Sequence, residues 1–197
     1  MCGRYLIASE NLPDSFAVLV DELEKREQKT KPDFLLKRGE IRPGDMAMVL
    51  ACTKNRIVKP FLMKWGFRMV KRLIFNTRAE TASTKPMFCE SFRNRRCLVP
   101  ATAYFEWDHR ADKPDKYIFW PEGENMMYMA GLYRIEDDPR HPSFSILTTS
   151  AAEDISAFHD RMPVILPAEQ AMQWLDPTAD PQQLLRLSLE HMAYQHA

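Results

Sequence analysis

A cysteine occupies the second position of this chain, directly after the initiator methionine. Removal of Met1 would leave Cys2 with a free α-amine and a thiol on adjacent carbons. Such an aminothiol condenses with an aldehyde through its amine, and the thiol then closes on the imine to form a thiazolidine ring. Because an α-amine titrates near pH 8, roughly a tenth of it is free base at neutrality. Cys2 is therefore a candidate nucleophile, although a cysteine at this position can also be incidental.

A glutamate lies within a segment whose other residues predict a core strand. Residues 96–107 are mostly apolar and aromatic, and Glu106 stands between Phe105 and Trp107, whose side chains would point to the opposite face. A carboxylate in such a place is either paired with an arginine or held at a raised pKa for proton transfer. The residues alone leave both alternatives open.

A histidine precedes Asp-Arg-Met-Pro at a predicted bend near the end of the chain. His159 could reach a pocket from such a bend and exchange protons near neutral pH. A single histidine is more often structural than catalytic. Its role stays open at the level of the residues.

Positive charge is concentrated in residues 54–96. This segment has twelve lysines and arginines against two glutamates, although the whole chain balances 27 basic against 27 acidic residues. A basic face is the expected result, and basic residues interleaved with aromatic rings suit a single-stranded nucleic acid. The interleaved rings are Trp65, Phe67 and Phe75.

The composition predicts one folded domain over residues 1–197. Hydrophobic residues make up 45% of the chain, which excludes a disordered protein, and 14 prolines against 6 glycines favour strands and loops over a helical bundle. Phe16, Leu19, Val20 and Leu23 predict an early helix, and Asp180 followed by Pro181 predicts the start of a closing helix. Residues 193–197 are expected to form a frayed tail.

Several classes of protein are disfavoured by what the sequence lacks. It has no apolar run of about 20 residues and no signal peptide at the beginning, so a cytoplasmic protein without a membrane partner is expected. The four cysteines show no CxxC spacing, and we expect neither a metal nor another cofactor. We expect a monomer.

Four segments resemble the SOS response-associated peptidase (SRAP) family, also called abasic site processing proteins. They are MCGRY at residues 1–5, NTRAET at 76–81, residues 96–107, and HDRMPVIL at 159–166. The segments follow the family's order and span nearly the whole chain. One departure is visible, since the family's Tyr-Glu-Trp sequence is replaced by YFEW at residues 104–107.

The resemblance implies an α+β fold, with a twisted, mostly antiparallel, barrel-like sheet and short flanking helices. It also implies a positive groove for single-stranded DNA that contains an abasic site. The protein would bind this site covalently through a thiazolidine and protect it during the DNA damage response, associating with the nucleoid when engaged on DNA.

The resemblance further implies roles for particular residues. Cys2 would form the thiazolidine, and Asn76 would hold the N-terminal cysteine in place. Glu106 would promote opening of the sugar ring, and His159 would act as a general acid or base, including in reversal of the crosslink. The implied DNA contacts are the phosphate-binding Arg4, Arg78 and Arg161, the wedge residues Trp65 and Gly66, and the loop residue Pro43.

Two alternative functions accompany this hypothesis. The chain could be a cysteine peptidase, with Cys2 as nucleophile and His159 or Glu106 as base, that removes its own Met1 or cuts other proteins. It could also be a noncovalent single-strand binding module in which Cys2 is incidental.

Overall fold

The computed structural model describes residues 2–108, 114–136 and 140–197. In chain order the strands are β1 (Arg4–Ile7), β2 (Gly39–Ile41), β3 (Met46–Cys52), β4 (Val58–Trp65), β5 (Phe67–Arg68), β6 (Leu73–Ile74), β7 (Asn76–Arg78), β8 (Arg96–Ala101), β9 (Ala103–Asp108), β10 (Asp115–Trp120), β11 (Met127–Arg134), β12 (Ser143–Ser150), β13 (Arg161–Pro163), β14 (Ile165–Leu166) and β15 (Ala193–His196). The helices are α1 (Asp14–Glu27), α2 (Ala79–Ala82), α3 (Cys89–Asn94), α4 (Glu153–Ser156), α5 (Ala168–Trp174) and α6 (Pro181–Leu185).

The larger sheet closes on itself. Its strand order is β13-β12-β4-β3-β8-β11-β14, and a further pairing of β11 with β12 completes a ring of β12, β4, β3, β8 and β11. Strands β4 and β7 run parallel to β12, whereas the remaining pairings described in this sheet are antiparallel. The predicted α+β fold with a mostly antiparallel, barrel-like sheet is confirmed.

Both faces of the ring strands are covered, and this explains their continuous apolar sequences. Every residue of β8 is buried. Cys97 and Val99 pack into the core shared with the smaller sheet, whereas Leu98 packs with Trp174 of α5 on the outside of the ring. Alternate side chains of one strand thus serve two hydrophobic clusters.

A smaller sheet has the strand order β15-β10-β9-β1-β2. Its register places Tyr5 opposite Tyr104 and Tyr117 opposite Glu106. Since successive side chains alternate between the faces of a strand, Tyr104 and Glu106 share one face, and Arg4, opposite Phe105, lies on the other. This register places the N-terminal residues beside the strand that carries Glu106.

The predicted helices are present. Phe16, Val20 and Leu23 form the buried face of α1. Helix α6 begins as expected, with Pro181 in its first turn and the Asp180 carboxylate accepting the backbone N–H of Gln182 at 2.9 Å. Within the described ranges, no helix is both long enough and apolar enough to cross a membrane.

The structure corrects two predictions about strands. Residues 193–196 are not frayed; they form β15, held against β10 by backbone pairing and by the Tyr194 ring, 5.6 Å from that of Phe119. The strand predicted over residues 96–107 is divided at Thr102, whose hydroxyl donates to the Leu6 carbonyl and accepts from the Ala8 N–H. This break allows the chain to pass from the larger sheet to the smaller one.

Candidate functional site

Cys2 is fully buried, and its backbone is held by a residue distant in sequence. The side-chain amide of Asn76 donates to the Cys2 carbonyl oxygen at 2.8 Å. The Cys2 thiol in turn donates to the Arg4 carbonyl oxygen at 3.6 Å. Met1 lies outside the described residues, so its expected removal remains a prediction.

The electrostatic surroundings of Cys2 disfavour the charged thiolate. Burial raises the pKa of the Cys2 thiol well above its usual range, and the negative charge of Glu106 raises it further. The pairing of Arg4 with Phe105 places Cys2 and Glu106 at the same end of the neighbouring strands β1 and β9. The structure therefore brings Cys2, Asn76 and Glu106 together from three separate strand regions.

Glu106 is only 2% exposed. Burial raises the pKa of its carboxyl to about 7, and the charge of Asp160 contributes in the same direction. An acid with this pKa exchanges protons at neutral pH, where general acid–base catalysis is most effective. Glu106 is therefore a candidate group for proton transfer.

Phe158, the neighbour of His159 in sequence, packs against the strand that pairs with the Glu106 strand. The Phe158 ring lies 4.7 Å from that of Tyr117, the residue opposite Glu106 in the sheet. Nδ1 of His159 accepts the backbone N–H of Arg161 at 2.9 Å and also lies 2.8 Å from an Asp160 carboxylate oxygen. One ring nitrogen cannot accept the first bond and donate the second at once. Protonation of Nδ1 would thus break the hydrogen bond from the Arg161 amide and let Nδ1 donate to the Asp160 carboxylate.

Arg161 is engaged by protein groups. Its two terminal nitrogens donate to the Glu80 carboxylate at 2.6 and 2.8 Å, and Nη2 also donates to the Thr148 carbonyl at 2.6 Å. Its side chain is only 11% exposed. The fork expected to clamp phosphate is therefore directed at Glu80 in this structure.

The other two predicted phosphate contacts differ in their environments. Arg4 donates to Glu40 at 3.0 Å, and its guanidinium lies 5.2 Å from the centre of the Trp107 ring, on the sheet face opposite Glu106. Arg78 is exposed at the end of β7, two residues after Asn76. Of Arg4 and Arg78, Arg78 is therefore the arginine that is open to solvent and nearer to Asn76 along the chain.

Arg78 belongs to a basic groove that leads to Asn76. The groove encloses about 670 Å³, and its cations are Arg72, Arg78 and Lys85. Its apolar lining includes Phe75, which is partly exposed. Sequence reasoning did not single out Arg72 or Lys85; the general excess of positive charge in this segment was the available signal. The apolar lining residues are Leu73, Ile74, Phe75, Pro86, Met87 and Phe88.

The structure corrects the expected role of two aromatic rings. Trp65 and Phe67 are both 0% exposed, so neither presents a ring face to a nucleic acid base. The Trp65 ring packs 5.0 Å from Tyr5, and its Nε1 donates to the Phe75 carbonyl at 2.9 Å. Of the three predicted stacking rings, Phe75 retains exposed surface.

Gly66 and Pro43 lie beside a backbone hydrogen bond that joins their neighbours in sequence. The N–H of Gly44, next to Pro43, donates to the Trp65 carbonyl at 2.7 Å. Gly66 has a φ of +113°, and a Cβ at this position would lie 2.4 Å from a Leu73 side-chain atom. A glycine is needed here both for the backbone conformation and for the close approach of Leu73.

Several buried polar atoms near the site have no hydrogen-bond partner among the described residues. Buried polar groups are normally paired, so a concentration of unpaired ones marks a place for substrate or solvent. Sequence reasoning did not identify Tyr5 or Tyr104 as site residues. The available signal was that Tyr104 stands two residues before Glu106, a spacing that places both side chains on one face of a strand. The atoms are the hydroxyls of Tyr5, Tyr104, Thr81 and Thr148, Oδ1 of Asn76 and Nε of Arg161.

Metal ligands are not grouped in the part of the chain that the structure describes. There, no three His, Cys, Asp or Glu side chains are arranged to hold an ion.

Comparisons with known proteins give a matching family model and relatives that align over most of the chain. A family model described as SOS response associated peptidase (SRAP) matches residues 1–196. The abasic site processing protein YoqW of Bacillus subtilis is 29% identical, over 95% of this chain and 86% of its own length. The abasic site processing protein YedK of Escherichia coli is 28% identical, over 89% of this chain and 79% of its own.

A solved structure supports the fold. An X-ray structure of a protein from Bacteroides thetaiotaomicron superposes with a TM-score of 0.76 at 23% identity, covering 99% of this chain and 91% of that one.

Proposed function

Since this chain belongs to the SOS response-associated peptidase family, we propose that it processes abasic sites in DNA by forming a covalent bond through Cys2. Two of its relatives carry the name abasic site processing protein. The observation that carries the proposal is the 2.8 Å hydrogen bond from Asn76 to the Cys2 carbonyl, beside a glutamate with a pKa of about 7. This arrangement holds the N-terminal backbone beside an acid able to exchange protons.

The proposed reaction begins once Met1 has been hydrolysed from Cys2. The Cys2 amine attacks C1′ of the ring-opened abasic deoxyribose, whose aldehyde oxygen becomes a hydroxyl. Glu106 protonates this hydroxyl, which leaves as water, and an imine forms. The sulfur of Cys2 then bonds to the imine carbon, and its proton ends on the nitrogen. The net reaction joins aldehyde and aminothiol as a thiazolidine with loss of one water.

The neighbouring residues have roles in this scheme that follow from their positions. Asn76 holds the Cys2 backbone, so the amine meets the aldehyde in a fixed orientation rather than by random encounter. Glu106 supplies and recovers the proton of the departing hydroxyl. His159 can exchange a proton with a change of hydrogen-bond partner, which suits the transfers at the sugar and the reversal of the crosslink.

The basic groove beside Asn76 is proposed to hold the DNA as a single strand. Arg72, Arg78 and Lys85 supply positive charge for the phosphates, and the apolar lining with Phe75 supplies surface for unpaired bases. The phosphates flanking the abasic site would then position C1′ against the Cys2 amine.

The decisive experiment uses single-stranded DNA with one abasic site and a denaturing gel. The wild-type protein is expected to give a slow covalent band that Cys2→Ala abolishes and that Cys89→Ala, a change at a partly buried thiol on α3, leaves intact. A band of equal strength with intact DNA, or no band at all, would overturn the proposal. A noncovalent binding module would shift the DNA only on a native gel.

The family's description as a peptidase supports a second activity, removal of the protein's own Met1. Glu106→Gln keeps Cys2 and so leaves trimming by a cellular aminopeptidase unaffected. If the wild type lacks Met1 and this variant retains it, intact mass supports self-removal; equal masses count against it.

A further inference from the structure

A second basic pocket lies at the opposite end of α3 from the basic groove. Residues 85–88, which directly precede α3, line the groove, whereas Arg93 and Asn94 at the end of this helix line the second pocket. Six residues of helix rise about 9 Å, and the two pockets share none of the described lining residues. The second pocket, between this end of α3 and the turn that follows β3, is called the α3 pocket below.

The lining of the α3 pocket carries charge of one sign. Four of its described lining residues are cations and none is acidic. Three of the cations are exposed and form no ion pair with any described residue. Because like charges repel one another at close range, such a lining favours a bound anion. The four cations are Lys54, Arg56, Arg93 and Arg96.

The fourth cation, Arg96, is only 6% exposed. Its guanidinium donates to backbone carbonyl oxygens, including that of Trp174 at 2.7 Å, and no carboxylate of the described chain lies within ion-pair distance of it. Burial lowers the pKa of Arg96, although the charges of Asp176 and Asp180 act in the opposite direction. Buried arginines are normally paired, so an anion in the α3 pocket would stabilise this charge.

The carboxylate next to the pocket lining in sequence is already engaged. Asp176 stands between two lining residues, and its side chain accepts the backbone N–H of Thr178 at 2.9 Å and the Thr178 hydroxyl at 2.7 Å. These bonds hold the Asp176 carboxylate on its own turn. The cations of the α3 pocket therefore remain open to an external anion.

Neutral donors and the size of the pocket indicate the kind of anion. The Thr53 hydroxyl accepts the Ile57 N–H at 3.1 Å, so its own proton is available to an acceptor in the pocket. Guanidinium groups form paired hydrogen bonds with phosphate oxygens. The pocket encloses about 260 Å³, less than the volume that drug-sized ligands occupy. It therefore suits a single phosphate group rather than a whole nucleotide.

We propose that the α3 pocket is a phosphate-binding site, separate from the groove that leads to Asn76. Its ligand is a phosphate group, carried either by a DNA strand that extends past the groove or by a small phosphorylated molecule. The proposal does not depend on the chemistry at Cys2.

The test compares phosphate binding by the wild type and by the double variant Lys54→Ala/Arg93→Ala. Both side chains are exposed, so their removal should leave the fold intact. The control Lys29→Ala/Arg186→Ala removes the same charge from exposed residues outside the pocket. Inorganic phosphate is titrated at constant ionic strength, and thermal unfolding reports its binding. The pocket variant should need at least about tenfold more phosphate for the same rise in melting temperature, whereas the control should match the wild type.

A second measurement distinguishes the two carriers of the phosphate. Binding of single-stranded DNA without an abasic site is followed by fluorescence anisotropy at several salt concentrations. If DNA carries the phosphate, the slope of log affinity against log salt should be smaller in the pocket variant than in the control by about 0.7 or more. Weakened phosphate binding with an unchanged slope would assign the pocket to a small phosphorylated molecule.

Equal phosphate binding by the pocket variant and the control, together with equal salt slopes, overturns the proposal. Neither measurement requires a crosslink, so the proposed function can fail while the phosphate site stands, and the reverse also holds.

Discussion

Both terminal nitrogens of Arg161 donate to the carboxylate of Glu80, at 2.6 and 2.8 Å. The pair joins β13 to α2, the short helix that follows β7 and Asn76. It therefore links the histidine-bearing segment to the segment that holds Cys2. Because Arg161 is nearly buried and Glu80 is 47% exposed, the pair is partly shielded from solvent.

Glu80→Gln should destabilise the protein by about 1 kcal/mol, allowing for the exposure of Glu80, which lowers the melting temperature by about 2–4 °C. Hydrogen bonding to Arg161 holds the pKa of Glu80 below its usual value. The stabilisation is therefore present above the ordinary glutamate pKa and lost as the pH falls through the lowered one. Thermal unfolding of the wild type and the Glu80→Gln variant at pH 7 and near pH 3 measures this difference in stability.

The matched control for Glu80 is Glu90→Gln, which removes the partner of Arg95 from an exposed pair. Its effect at pH 7 should be smaller. Equal effects of the two substitutions would show that Glu80 contributes no more than a surface charge.

Glu106→Gln should slow crosslinking at least tenfold and leave DNA affinity largely intact, because the amide cannot deliver a proton. The same substitution should increase the stability of the protein above pH 7, although it slows the reaction. Burial raises the pKa of Glu106 to about 7, so the native state binds the extra proton and loses stability as the pH rises from about 4.5 to about 7.

Removing the titrating group should therefore stabilise the protein above pH 7, by up to about 3 kcal/mol, and have little effect near pH 4. Crosslinking rates and chemical unfolding across this range measure both effects. Equal loss of affinity and rate, with lower stability at pH 8, would point to a structural ion pair instead.

Arg78→Ala should weaken binding to single-stranded DNA and reduce the slope of log affinity against log salt by about 0.7, the value for one phosphate contact. Fluorescence anisotropy at several salt concentrations measures the slope. Lys25→Ala on α1, outside the groove, should leave it unchanged. A wild-type slope in the Arg78 variant would remove this residue from the phosphate contacts.

Gly66→Ala should destabilise the protein by about 2–3 kcal/mol, because the new Cβ would meet Leu73 in a left-handed backbone conformation. Gly123, at φ +79° with open space around it, provides the control: Gly123→Ala adds backbone strain without a collision. Adding Leu73→Ala to Gly66→Ala should recover part of the loss. Equal effects at Gly66 and Gly123 would exclude the collision.

Local patterns predicted much of the fold. The spacing of Phe16, Leu19, Val20 and Leu23 predicted α1, and the Asp180–Pro181 pair predicted the start of α6. Both depend on interactions within a few residues, which the sequence contains directly. The strand at 193–196 was not predicted, because its pairing partner β10 lies about 75 residues earlier in the chain.

The sequence by itself determined which groups can do chemistry: an aminothiol at Cys2 once Met1 is removed, a carboxylate in an apolar strand and a segment with excess positive charge. Only the tertiary structure decided that Trp65 packs inside the ring, that Arg161 binds Glu80, and that Tyr104 pairs with Tyr5. Alternation along a strand assigns each side chain to one of two faces. Which face is buried, and which charges lie opposite, depends on pairing between segments far apart in sequence, and this pairing sets the pKa of Glu106 and the hydrogen bond that holds Cys2.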